Sequence, residues 1–298
     1  MFSQPMSQSP AHPVVEVMDP GPFELAEGPF WHDGALHWVD IKPGRIHRRC
    51  PSGERRSCDL GQSVGCLFPA SDGAFIAGLR EGLAMVSFDR GIERWVDRTL
   101  APDPQRRFND GAIDAMGRLW VGSMRDDMQQ GTGELHLYSA KTGFRTVRRG
   151  LTIPNGLVFS PDNRFMYHID TPRRIVEVIE FDLAGAELGA VVGAIHIPER
   201  LGYPDGMCID RDATLWIAHW GGGRVSRWDP ITGRLLESVA IPRQNVTACA
   251  FGGGGMEELF VTTAAGGEEK GAIYRCRPGG SGTPGRTYGA MQVEQDAP

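Results

Sequence analysis

Six apolar, strand-like runs recur along this chain at a spacing of 39 to 50 residues, and that repeat limits the available architectures more than any other feature. The runs are LHWVD (36–40), FIAGL (75–79), LWVGSM (119–124), FMYHID (165–170), LWIAHW (215–220) and LFVTTA (259–264). Each is preceded by a shorter strand-like run and a turn, and followed by a variable loop and a third run: RIHRRC, LAMVSF, ELHLYS, IVEVIEF, RVSRWD or AIYRC. Units of about 40–50 residues made of about four short strands have the size of a propeller blade. A sandwich or a pair of all-β domains accommodates six units poorly, because no composition shift or linker divides the chain. The reading is therefore an all-β, six-bladed β-propeller over residues 12–278. The segment HPVVEVM (12–18) has no partner in the first unit and is expected to complete the last blade as its outer strand. Residues 1–11 are expected to form a disordered tail and 279–298 a C-terminal tail.

Composition narrows the function. The 40 glycines and 21 prolines suit a fold rich in turns. The net charge of −6 and the lack of a long basic run argue against nucleic acid as a partner. No apolar run approaches the roughly 20 residues that span a bilayer, so no membrane association is expected. The start, MFSQPMSQSPAHP, lacks the basic and apolar regions of a secretory signal. None of the six cysteines forms a C-x-x-C pair, and Cys66, Cys208 and Cys249 lie inside apolar strand patterns. They read as small core residues in a reducing compartment, and a cytoplasmic location is the expectation.

One polar column stands out against the apolar repeat. Aligning the units on their second runs brings Glu27, Val64, Asp110, Asn155, Asp205 and Thr247 to one register, and glycine follows the four carboxylate or amide positions. In a propeller these positions head the innermost strands and converge on one mouth of the central channel. Three facing carboxylates repel one another unless something positive sits between them. An oxygen-only donor set of this kind favours one hard divalent cation, Ca²⁺, Mg²⁺ or Mn²⁺, with Zn²⁺ or Fe²⁺ as further options. The competing reading is a set of strand-entry turns, which Asn and Asp before Gly commonly make.

The motifs LAEGPFW with VDI, RFNDGAIDAMGRLWVGSM, IPNGLVFSPDN, YPDGMCID, and VTACAFGG with ELFVTTA resemble the senescence-marker-protein-30/gluconolactonase (regucalcin-like) family. The resemblance runs from about Glu24 to Cys276 and implies a six-bladed propeller, one divalent metal in the channel, and hydrolysis of sugar-acid lactones. It places the metal ligands on Glu27, Asn155 and Asp205 and the substrate contacts on Arg107 and Asn109. That differs from the column, which nominates Asp110. In a regular strand 107 and 109 share one face and 110 takes the other, so Asp110 becomes a turn or supporting residue. The loop MRDDMQQGTGE (124–134), where the family supplies further substrate contacts, aligns with nothing securely.

The implied reaction is attack of water on a cyclic ester, with the metal polarising the carbonyl and Asp205 as general base or, alternatively, as a ligand only. The expected partner is a small sugar lactone, an aldonolactone by resemblance. The rival readings are a metal-dependent esterase on another ester, such as an organophosphate or a homoserine lactone, and a non-catalytic calcium-binding or interaction propeller. No G-x-S-x-G, H-E-x-x-H or G-x-x-x-x-G-K motif offers another chemistry, and FGGGGMEELF (251–260) reads as a hairpin turn. His37, His168 and His219 read as packed histidines, and Trp31, Trp38, Trp120 and Trp216 as core between blades. The particular lactone, the metal and the oligomeric state are not encoded in any motif.

Overall fold

The computed structural model describes residues 13–289 apart from Asp72. It is an all-β, six-bladed propeller in which each blade is a four-stranded antiparallel sheet. The innermost strands, in blade order, are Ala26–His32, Val64–Pro69, Arg106–Ile113, Pro154–Phe159, Tyr203–Ile209 and Val246–Gly252. The apolar runs that define the repeat are the second strands, Ala35–Asp40, Phe75–Leu79, Leu119–Arg125, Phe165–Asp170, Leu215–Trp220 and Glu258–Thr263. Each has a neighbouring blade on both faces, which is why it reads as a continuous apolar run rather than as an alternating one. Every residue of Ala35–Asp40 is buried.

The core is a ring of separate contacts. Among the described residues, six apolar clusters form, each between two adjacent blades. Trp38, Trp120 and Trp216 are fully buried in these layers, while Trp31 is partly buried and stacks on Phe260 with ring centroids 5.5 Å apart. Two of the tryptophans also close the first turn of their blades. The carboxylate of Asp114 accepts from the Trp120 indole at 2.9 Å and that of Asp210 from the Trp216 indole at 2.9 Å, while both cap the backbone of the intervening turn.

An N-terminal strand closes the ring. Glu16–Phe23 pairs antiparallel with Gly271–Cys276 as the outer strand of blade 6. Only its first residues overlap the 12–18 segment; the strand lies further along because Phe23 is the anchor, 1% exposed, whereas Val14 is 76% exposed. Met1–His12 lie outside the described residues, and with them the stretch read as a disordered tail. The stretch past residue 278 is docked as far as Gly289. It bonds the turns of several blades in succession, with Arg211 N–H donating to Ser281 O, Gly282 N–H to Met256 O, Tyr288 N–H to Pro69 O and Gly289 N–H to Gly117 O. It thus straps the channel mouth opposite the strand heads, and residues 290–298 lie outside the description. No helix among the described residues is long and apolar enough to cross a membrane.

The blade interfaces also enclose five histidines, His37, His47, His136, His168 and His219, each at most 3% exposed. His219 and His136 bond serine hydroxyls, Ser226 and Ser123. His168 has no partner at either ring nitrogen among the described residues. Burial, reinforced by Arg148, lowers its pKa to about 3. It is neutral in the folded chain, whereas the unfolded chain takes up a proton below about pH 6.5. Stability is therefore lost as pH falls from 6.5 toward 3. Replacing His168 with Leu should remove its share of this slope and leave that of the other buried histidines. Relative to the variant, wild type should lose roughly 2–3 kcal/mol between pH 7.5 and 4.5, measured by urea unfolding at each pH; parallel losses would show that His168 does not titrate on unfolding.

Candidate active site at the channel mouth

The innermost strands are irregular at their heads in every blade. Their pairing with the second strands shifts between Glu27 and Phe30, Val64 and Cys66, Phe108 and Gly111, Asn155 and Leu157, Pro204 and Met207, and Val246 and Ala248. A bulge bends a strand and re-aims its side chains, so six bulges at one level turn six strand heads toward the axis. Backbone crowding there demands glycine. A Cβ on Gly206 would lie 2.5 Å from the Ala248 Cβ, and one on Gly65 would lie 2.3 Å from the Phe108 carbonyl oxygen.

The bulge in blade 3 overturns the alternation argument that set Asp110 aside. Because the register slips between Phe108 and Gly111, Asn109 and Asp110 can serve the same volume. Asn109 bonds Asn155, and Asp110 acts on the charges of both Glu27 and Asp205.

A directed chain of hydrogen bonds orients the polar side chains. Arg107 can only donate, and its Nη1 gives to Asn109 Oδ1 at 2.7 Å. That fixes Asn109 Nδ2 toward Pro154 O (3.0 Å) and Asn155 Oδ1 (3.1 Å). Asn155 Nδ2 then donates to Thr171 Oγ1 at 3.0 Å, and that hydroxyl donates to Pro204 O at 2.9 Å, next to Asp205. Both N–H bonds of Asn109 are thereby used within the protein; one lone pair on its Oδ1 is left for a ligand. Arg107 is held in turn by Asp126, with Nε at 3.2 Å from Oδ1, and Asp126 is held by Arg80 at 2.7 Å. Asp126 belongs to the 124–134 loop that no motif resolved.

Two further carboxylates brace the backbone just ahead of the site. Asp40 accepts from the N–H groups of Glu24 and Leu25, leading to Glu27, and Asp170 accepts from those of Thr152 and Ile153, leading to Asn155. The repeat contained the signal, since each aspartate ends its second run (VD at 39–40, ID at 169–170).

Electrostatically the mouth is short of positive charge. Burial pushes the Glu27 carboxyl well above its ordinary range, aided by Asp205 and Asp110 and opposed by the Gly28 N–H and Arg107. Burial likewise raises Asp205, aided by Asp110 and opposed by Arg107 and the Gly206 N–H. Asp110 is pushed up to about 6 by burial, against the pull of the Gly111 N–H. Among the described residues no three His, Cys, Asp or Glu side chains stand together as a ready metal cluster, so any cation shell here must draw on the amide oxygen of Asn155 as well. Below the strand-head glycines lies a cavity of about 550 Å³ that reaches the C-terminal strap; of Glu27, Arg107, Asn109, Asp110, Asn155 and Asp205, only Asp110 lines it.

A six-bladed propeller with an acidic, oxygen-lined mouth braced by one arginine defines the class, and comparison with known proteins narrows it. The model of the SMP-30/Gluconolactonase/LRE-like region matches residues 25–265. The chain is 33% identical to the pentonolactonase XacC of Haloferax volcanii, over 91% of this chain and 96% of that one. A luciferin-regenerating enzyme structure superposes with a TM-score of 0.86 at 28% identity, covering 93% of this chain and 99% of the other. The calcium-binding protein regucalcin of Agrobacterium tumefaciens does so with a TM-score of 0.83 at 25% identity, covering 93% and 97%. This chain belongs to the SMP-30/gluconolactonase family of sugar lactonases.

The raised carboxyl of Asp110 has a sign that can be checked. Because its folded pKa of about 6 exceeds the ordinary 3.8, its contribution is fully present below pH 3.8 and is lost as pH rises through 6. Asp110→Asn in chelator should therefore stabilise the protein by about 3 kcal/mol at pH 7.5 and by almost nothing at pH 3.5. Chemical denaturation at the two pH values measures this, and an unchanged or lower midpoint at pH 7.5 would refute it.

Proposed function

We propose that the protein hydrolyses a sugar-acid lactone to the open-chain acid with one divalent cation at the channel mouth. The observation that carries this is the gathering of buried Glu27 and Asp205 and half-buried Asp110 near a single arginine, a charge arrangement that a dication relieves. Glu27, Asn155 and Asp205 would hold the cation, their oxygens suiting Ca²⁺, Mg²⁺ or Mn²⁺. Its similarity to a pentonolactonase and to a calcium-binding regucalcin supports the substrate class and the ion.

A bound dication supplies Lewis acidity at the lactone carbonyl. The chain's own groups do the rest. Asp205 takes the proton of the attacking water as its oxygen adds to the carbonyl carbon. The ring C–O bond then breaks and Asp205 returns the proton to the departing oxygen, leaving a hydroxy acid that ionises at neutral pH. Arg107 spends Nε and Nη1 on Asp126, Phe108 O and Asn109, so its Nη2 is the donor edge left for a substrate oxygen. Asn109, with a lone pair to spare, would accept from a substrate hydroxyl.

The test is proton release from pentono- and hexonolactones by chelator-stripped enzyme given Ca²⁺, Mg²⁺, Mn²⁺, Zn²⁺ or Fe²⁺ singly. Activity should return with metal. Asp205→Ala should lower kcat/KM by about 1000-fold or more, whereas Arg107→Ala should act chiefly on KM, by about tenfold. Cation binding without hydrolysis of any lactone would remove the lactonase reading and leave an esterase of another class or a binding propeller.

A further inference from the structure

The cavity beneath the site brings together two thiols that the reaction does not use. Cys208, on the inner strand of blade 5, and Cys249, on the inner strand of blade 6, lie 41 residues apart in sequence and 3.8 Å apart from Sγ to Sγ. Both line the cavity. Their proximity follows from the crowding at the axis: Gly206, where a Cβ would stand 2.5 Å from that of Ala248, lies two residues before Cys208, and Ala248 lies one before Cys249. A disulfide needs an S–S distance of about 2.05 Å. The remaining closure is under about 2 Å and within reach of side-chain rotation between strands already in contact.

The two thiols differ in their surroundings. Cys249 is 3% exposed, and its Sγ lies 3.3 Å from the Trp216 carbonyl oxygen. Burial and Cys208 push its pKa up, which makes it slow to react first. Cys208 is only half-buried and opens onto the cavity. Cys66 lines the same cavity, but its sulfur packs on Gly78, where a Cβ would lie 2.8 Å away.

We infer that Cys208 and Cys249 form an oxidisable dithiol, a modification site that a small peroxide entering the cavity converts to a disulfide joining the inner strands of blades 5 and 6. In the first step the Cys208 sulfur attacks one peroxide oxygen, the O–O bond breaks, and Cys208 sulfenic acid and water form. In the second, the Cys249 sulfur attacks the Cys208 sulfur, the S–O bond breaks, and the oxygen leaves as a second water. Two thiols give up two electrons and two protons, and one hydrogen peroxide becomes two waters. The crosslink closes a loop of about 40 residues, which restricts the unfolded chain, and it ties the strand that carries Asp205 to its neighbour.

The experiment treats the full-length protein with stoichiometric hydrogen peroxide, unfolds it, blocks free thiols with N-ethylmaleimide, and maps peptides by mass spectrometry. A Cys208–Cys249 crosslink is expected, with loss of two alkylations, together with a thermal midpoint raised by several degrees that dithiothreitol reverses. Cys66→Ser should still crosslink, and Cys208→Ser and Cys249→Ser should not. Either of two results overturns the proposal: Cys208 carried to sulfinic acid with Cys249 still alkylated, or a dominant disulfide to any other cysteine. Wild-type peptide maps decide between these even if one serine variant misfolds.

Discussion

Six innermost strands have to meet around one axis, and the rest of the molecule is arranged by that convergence. Where strands approach too closely for side chains, glycine is required, as at Gly65 and Gly206. A regular strand would send successive side chains to opposite faces; a bulge at each head lets the chain turn polar groups inward while the strand below stays paired. The apolar clusters then form in the only space left, the wedges between blades. Because the last wedge closes only when Glu16–Phe23 joins blade 6, the two ends of the chain are coupled to the geometry of the channel.

Such a ring can hold groups that a softer scaffold would expel. Three carboxylates crowded near one arginine are unfavourable as isolated charges, and the local bonds from the Gly28 and Gly111 N–H groups to Glu27 and Asp110 do not by themselves fix the strand heads. The surrounding bonds do. Asp40 and Asp170 grip the backbone ahead of Glu27 and Asn155, and the Arg107–Asn109–Asn155–Thr171 chain ends on a carbonyl next to Asp205. Three blades contribute to that chain, so the position of one side chain depends on its neighbours' backbones. This is the supporting shell that keeps a site rigid.

The same architecture places uncharged histidines in the second and third strands of the blades. His37, His47 and His136 stack on Phe30, Trp38 and Phe144 with centroids 5.0, 5.2 and 4.8 Å apart. They act there as flat packing surfaces, and burial keeps them neutral through the physiological range. The interior is thus divided by charge. The acidic side chains Glu27, Asp110 and Asp205 gather at the mouth, where Arg107 and the strand-head N–H groups face them, and the histidines between the blades are neutral.

The sequence by itself determined the blade count, the apolar second strands and the column of polar strand heads, because all three follow from a repeat of fixed length with a fixed order of strand, turn and strand. It also carried Asp40 and Asp170, at the same place in two repeats. Only the tertiary structure decided what Asp110 faces, because a bulge is a property of pairing between strands and leaves no composition behind. The same holds for Asp126, which acquires its role by meeting Arg107 and Arg80 across loops, and for the strap that residues past 278 lay across the far mouth. Cys208 and Cys249 are two ordinary strand cysteines in the sequence; they become neighbours because blades 5 and 6 lean together at the axis, a distance that no local pattern records.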